Sequence, residues 1–131
     1  MNHIYMFITM FLINLSMPLI MIKNVSDYRI SLNIIYASFF MGFSMLLIMS
    51  YNDIRYLTAS LIGLVLSVLA IRNQWFIGDK QFLQDMIPHH SMALLTSSHI
   101  LGKTRDPRIR ELAENIFKLQ QQEIVYMKSM I

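Results

Sequence analysis

The distribution of charge constrains this chain more than any other feature. Only Asp53 and Arg55 are charged between Ile30 and Leu69, and "HIYMFITMFLINLSMPLIMI", residues 3–22, carries no charge at all. Residues 79–131, by contrast, hold seven Lys or Arg and six Asp or Glu. A bilayer core is crossed by about 20 mainly apolar residues in a helix, because unpaired backbone groups cannot be left in lipid. The sequence therefore predicts three transmembrane helices, at about 3–22, 30–50 and 56–76, joined by the polar turns "KNVSDYR" and "YNDIR". The first bends at Pro18. It has neither the basic start nor the small-residue cleavage site of a signal peptide, so it reads as a retained anchor. Residues 1–77 form a membrane domain and residues 78–131 a solvated one.

Composition closes off several functions. The absence of cysteine removes disulfides, thiolate zinc sites, iron–sulfur clusters and cysteine nucleophiles. The net charge of +3 is spread along the chain, which offers no face for nucleic acid. Lys23, Arg29, Arg72 and Lys80 outnumber Arg55 and the terminal amine across the predicted membrane, which leans toward a cytoplasmic C-terminus. Methionine is abundant, 12 of 131 residues, which suits a flexible apolar filler. Met41, Met45 and Met49 recur every fourth residue and share one helix face. They read as a packing seam beside Gly42 and Ser44, or as a thioether path for monovalent copper or silver.

The polar tail reads as an antiparallel helical hairpin. Asp79 is a candidate N-cap and Gly102 a candidate C′ residue for its first helix, whose apolar positions are Phe82, Leu83, Met86, Ile87, Ala93, Leu94 and Leu101. Asp106 and Pro107 restart the chain as N-cap and first helical residue. The second helix then offers Ile109, Leu112, Ala113, Ile116, Phe117, Ile124 and Met127 at helical spacing. Two helices of this length bury too little surface to stand alone. Pairing of two chains into a four-helix bundle, or docking on the membrane helices, is required.

"FLQDMIPHHSMALL" carries the candidate chemistry. On a helix Met86 neighbours both His89 and His90, and Met92 neighbours His89. The adjacent histidines point about 100° apart, so one faces inward and the other serves a second ion, a subunit contact or solvent. Pro88 in mid-helix removes the bond to the Gln84 carbonyl and opens space before them. Folding the hairpin about its connection sets Gln120 and Glu123 opposite residues 86–90. Imidazole with thioether is a copper environment, and imidazole with carboxylate suits harder divalent ions. Met86, His89 and His90 are the expected core ligands of a metal site, with Met92, Glu123 and Met127 supporting. A hydrogen-bond network that only fixes bundle register is the competing reading. His99 reads as solvent-exposed and His3 as a membrane-interface residue. An enzyme is not expected: H-E-x-x-H, a phosphate-binding glycine loop, G-x-S-x-G and Glu-x-x-His are all absent.

The tail also resembles the domain of unknown function 305 family, a ferritin-like helical group. The likeness lies in Met86, Ile87, Pro88, His89, His90 and Ala93, then Pro107, Ile109, Arg110, Leu112, Ala113, Ile116, Gln120, Glu123, Ile124 and Met127. The three hydrophobic segments ahead of it are similar to a bacterial subgroup with three membrane helices. The resemblance implies an all-α fold, three transmembrane helices followed by a ferritin-like half-bundle completed by homo-oligomerisation. It further implies copper binding through Met and His residues, with the hairpin on the extracytoplasmic side of a bacterial inner membrane. The uncharged N-terminus "MNHIYM" departs from that subgroup, and the long Met- and His-rich tails of copper carriers are lacking.

Overall fold

A computed structural model of the chain describes residues 2–131. Among them every regular element is helical: α1 (His3–Met21), a single 3-10 turn (Val25–Asp27), α2 (Leu32–Met49), α3 (Ile54–Arg72), α4 (Asp79–Leu101) and α5 (Pro107–Ser129). The first three helices, of 19, 18 and 19 residues, are long and apolar enough to cross a membrane. At 1.5 Å per residue each spans about 28 Å, close to the thickness of a hydrocarbon core.

The chain divides into two compact units. Of the described residues, 2–17 and 30–77 form one, and 18–29 and 78–131 the other. Residues 18–29, which the sequence assigns to the membrane domain, pack with the hairpin.

In the first unit α2 packs against α3, whose buried residues are all small: Ser60, Gly63, Ser67 and Ala70. The buried Ser38 and Gly42 of α2 face α1 instead, Ser38 accepting from Asn14 Nδ2 at 3.2 Å and Gly42 leaving room for the Phe7 ring. A Cβ on Gly63 would lie 2.5 Å from the Phe43 ring, so that aromatic side chain occupies the space a larger residue would need. Phe7 and Phe11 of α1 join Phe39 and Phe43 in an aromatic cluster whose nearest ring centroids are 4.9 Å apart. Buried serines return their hydroxyls to carbonyls of their own helices, Ser38 to Ile34 and Ser67 to Gly63. That removes the penalty of an unpaired donor in an apolar setting. The methionine stripe flanks this seam instead of forming it: Met45 and Met49 are half-buried and Met41 is exposed.

The third span stops at Arg72, short of the extension to residue 76 that hydropathy allowed. Gln74 adopts a left-handed φ of 50°, the Trp75 amide reaches back to the Ala70 carbonyl at 3.1 Å, and the Gln74 amide to Ile71. This is a Schellman ending built without glycine. A left-handed non-glycine residue costs about 1 kcal/mol or more. The Gln74 side chain offsets it by exchanging two amide hydrogen bonds with Asn33 and donating a third to the Ile71 carbonyl. At the opposite end of this unit His3 hydrogen-bonds Ser50 at 3.0 Å and packs on Tyr56, an amphipathic grouping suited to a membrane interface.

The second unit is the hairpin with residues 18–29. Gly78, one residue earlier than expected, caps α4, and Asp79 is the acid in its first turn, where the helix dipole favours negative charge. Gly102 ends α4 in a right-handed conformation, φ −78°, where a left-handed one was expected. Lys103 and Thr104 amides turn back on the Ile100 carbonyl, so the exit is a continued tight turn. Asp106 caps α5 through the Arg108 amide at 2.9 Å, with Pro107 following it, as the sequence predicts. Between the helices lies an apolar core of Ile87, Leu94, Ile124 and Met127, backed by Leu83, Met86 and Phe117. Ile109 and Leu112, grouped with this core from their spacing, are instead exposed, at 42% and 56%. They belong to a second stripe of α5 that turns away from α4.

Candidate functional site

The hairpin's inward stripe on α4 runs Leu83, Ile87, His90, Leu94, steps of four, three and four. His90 sits on it for that reason. Its Nε2 lies 2.9 Å from Glu123 Oε2 on α5, and its Nδ1 lies 2.8 Å from the Met86 carbonyl. A carbonyl only accepts, so Nδ1 carries a proton and donates. Nε2 faces the Glu123 carboxylate, which leaves neither ring nitrogen open. His90 and Glu123 thus form a closed link between the helices at the level the sequence indicated, with Gln120 half-buried one turn away.

His89 lies about 100° around α4 and looks outward. Its side chain is 61% exposed and its Nε2 is 4.0 Å from Asp85 Oδ2, one turn earlier. Met86 and Met92 precede and follow it by three residues, both half-buried. Pro88 is inside the helix, as expected for a residue that deletes one backbone bond there. The six residues expected to act together therefore fall into three groups. Met86, His89 and Met92 follow one another at three-residue steps along α4, with Met86 also packed against the apolar core and only His89 exposed; His90 and Glu123 make the interhelical link; Met127, 7% exposed, is part of the apolar core. Among the described residues no three His, Asp or Glu side chains converge as a metal-holding group. His99 is exposed and bonded to its own helix at the Leu95 carbonyl.

One polar node was not visible in the sequence. Asp27, in the 3-10 turn, is 1% exposed, and its carboxylate accepts from Ser91 Oγ at 2.6 Å, from Asn24 Nδ2 at 3.3 Å and from Lys128 Nζ. Ser91 in turn accepts from the Lys23 amide through its hydroxyl at 3.0 Å and its carbonyl at 3.3 Å. The Lys23 ammonium rests over the Phe117 ring at 4.2 Å. Burial pushes the Asp27 carboxyl up, but the hydrogen bonds from Lys128 and Ser91 and the Lys128 charge outweigh it, and the carboxyl is held below its ordinary value. The node clamps residues 23–27 to α4 and α5 at once. Ser91, its centre, stands between His90 and Met92. The available signal was faint: a charged residue in a short turn and a serine on the α4 stripe adjoining Ile87.

Comparison with known proteins finds a likeness in the tail. Residues 73–131 match the model of the Domain of unknown function (DUF305). A stretch of 68 residues is 52% identical to "Uncharacterized protein L153" of Acanthamoeba polyphaga mimivirus, covering 52% of this chain and 45% of that protein. The match thus spans less than half the length of that relative. No solved structure matches the chain. The likeness to the DUF305 model thus covers the C-terminal helical hairpin and leaves residues 1–72 outside it.

Proposed function

We propose that this is a membrane-anchored protein whose extracytoplasmic hairpin binds copper in its monovalent form, in metal homeostasis, on the outward edge of α4. The observation that carries this reading is the open imidazole of His89, 61% exposed, set between Met86 and Met92 in an M-x-x-H-x-x-M spacing. Each step of three residues rises about 4.5 Å, and a methionine's three rotatable bonds cover that distance. One imidazole and two thioethers are soft to borderline donors that favour Cu(I) over zinc, magnesium or calcium. The Asp85 carboxylate lies 4.0 Å from the ring's Nε2, one turn below. The His90–Glu123 link holds the hairpin in register beneath the site.

A second reading is favoured by that same link: a membrane-anchored assembly module that binds no metal, its polar residues serving only to fix register. Separate substitutions of the two histidines divide the readings. In a competition titration of full-length protein with Cu(I), His89→Ala is expected to weaken binding at least about tenfold, the loss of a principal ligand. His90→Ala should leave stoichiometry intact and lower thermal stability. Unchanged Cu(I) affinity in both the single variants and the double variant would remove the metal reading.

A further inference from the structure

The second stripe of α5 is Ile109, Leu112, Ile116, Leu119, Tyr126 and Met130, with Glu123 at the one remaining position. These steps alternate three and four residues over three heptads, the period of a helix seam. Five of the six apolar side chains are strongly exposed: Ile109 42%, Leu112 56%, Leu119 52%, Tyr126 66% and Met130 49%. The stripe that faces α4, with Ala113, Phe117, Ile124 and Met127, lies about 90° around the helix. An α-helix with two adjoining apolar seams fits a four-helix bundle, and one hairpin supplies only two helices.

We infer that this stripe is a homodimer interface, on which α5 packs antiparallel against α5 of a second copy about a two-fold axis near residues 116–119. Charge argues for a second copy in place of a lipid surface. A helix that lies on a bilayer presents Lys and Arg along the border of its apolar face. Here that border is Asn115, Gln122 and Ser129, all neutral and exposed, and Arg108 at its start is already paired with Asp106 at 2.9 Å. Neutral borders also let two identical faces meet without repulsion. Glu123 fixes the direction. A parallel pair would set the two Glu123 carboxylates against each other in the seam, where like charges are costly. Antiparallel pairing in this register sets each Glu123 opposite the partner's Leu112, about 16 Å from its twin at 1.5 Å per residue. There it keeps its contact with His90 Nε2 of its own hairpin, 2.9 Å away. The contact runs about 32 Å, and confinement to one membrane raises the effective concentration of the pair. This inference stands independently of copper binding.

The chain contains no cysteine, so introduced cysteines report alone. In full-length protein in native-like membranes, Leu119→Cys is expected to cross-link to its twin with a short bis-maleimide. Tyr126→Cys alone should not, whereas Ile109→Cys with Tyr126→Cys should. Adding Leu112→Glu to Leu119→Cys should lower the cross-linked fraction about tenfold or more, because one unpaired carboxylate per copy would be buried in the seam. Circular dichroism of that variant, retaining full helicity, separates lost pairing from lost folding. Efficient cross-linking of Tyr126→Cys alone would overturn the antiparallel arrangement. Failure of Leu119→Cys to cross-link, with its fluorophore conjugate quenched by brominated lipid, would assign the stripe to the bilayer and overturn the proposal.

Discussion

Removing Lys128 should damage the hairpin more than removing Asp27, although the two form one ion pair. Asp27 is the buried member at 1% exposure, while the Lys128 side chain keeps 31% of its surface. In Asp27→Ala the ammonium can turn to water, and Ser91 still accepts the Lys23 amide, so the loss is about 2 kcal/mol, one charge-assisted bond less the relieved desolvation. In Lys128→Met a carboxylate is left buried, with only Ser91 and Asn24 donating to it. It can escape by taking up a proton. From an ordinary value of 3.8 that costs about 4 kcal/mol at pH 7, at 1.36 kcal/mol per unit, which caps the penalty at about 3–4 kcal/mol. The pH dependences then have opposite signs. In the native protein the folded carboxyl titrates below its unfolded value, so the node's contribution is present above pH 3.8 and is lost as pH falls through the folded value. In Lys128→Met the folded carboxyl titrates above its unfolded value, so stability returns as the medium is acidified. Hydrogen exchange at the Lys23 amide, bonded to Ser91, reads the opening of the node. Expected acceleration at pH 7 is about 30-fold for Asp27→Ala and on the order of 100- to 1,000-fold for Lys128→Met. Equal acceleration in the two variants, or a Lys128→Met protein that loosens further in acid, would refute the argument.

Gly63→Ala forces the Phe43 ring away from a Cβ built 2.5 Å from it, so a cost of about 1–3 kcal/mol is expected, read as a lower melting temperature in detergent; an unchanged value would mean that α2 and α3 separate freely. Asp106→Ala removes the cap bond to the Arg108 amide, and about 1 kcal/mol of hairpin stability should go with it, seen as faster exchange in the first turn of α5 alone. Glu123→Gln keeps an acceptor opposite His90 and is expected to cost less than Glu123→Leu, by about 1 kcal/mol in thermal unfolding; the reverse order would show that the pair is not a hydrogen-bonded link.

The three long apolar helices were legible because such runs leave the backbone one solution in lipid, and because charge marks the ends of each segment. Their limits were less so. Hydropathy allowed the third helix to continue through "NQWF", and what stops it is the left-handed turn at Gln74, held by an amide pair with Asn33, 41 residues away. Capping of α5 was legible, since Asp106 and Pro107 act within one turn of each other. The two faces of α5 were merged in the sequence because seams about 90° apart both satisfy a three-and-four spacing. Only the position of α4 separates Ile109 and Leu112 from Ala113 and Ile124.

The same distinction between local and distant causes governs the site. That His89 and His90 must part company follows from helix geometry alone. Which one faces inward follows from Ile87 and Leu94, three before and four after His90, a stripe that His89 does not share. The link to Glu123 then follows from folding the hairpin about its five-residue connection, residues 102–106. Asp27, Ser91 and Lys128 have no such rule, being 64 and 101 residues apart in pairing. Their consequence is nonetheless specific. The residue between His90 and Met92 is bonded to the turn that leaves α1, so the outward edge of α4 is braced by the chain emerging from the first membrane helix. A ligand that shifts the backbone at Ser91 must work against that node.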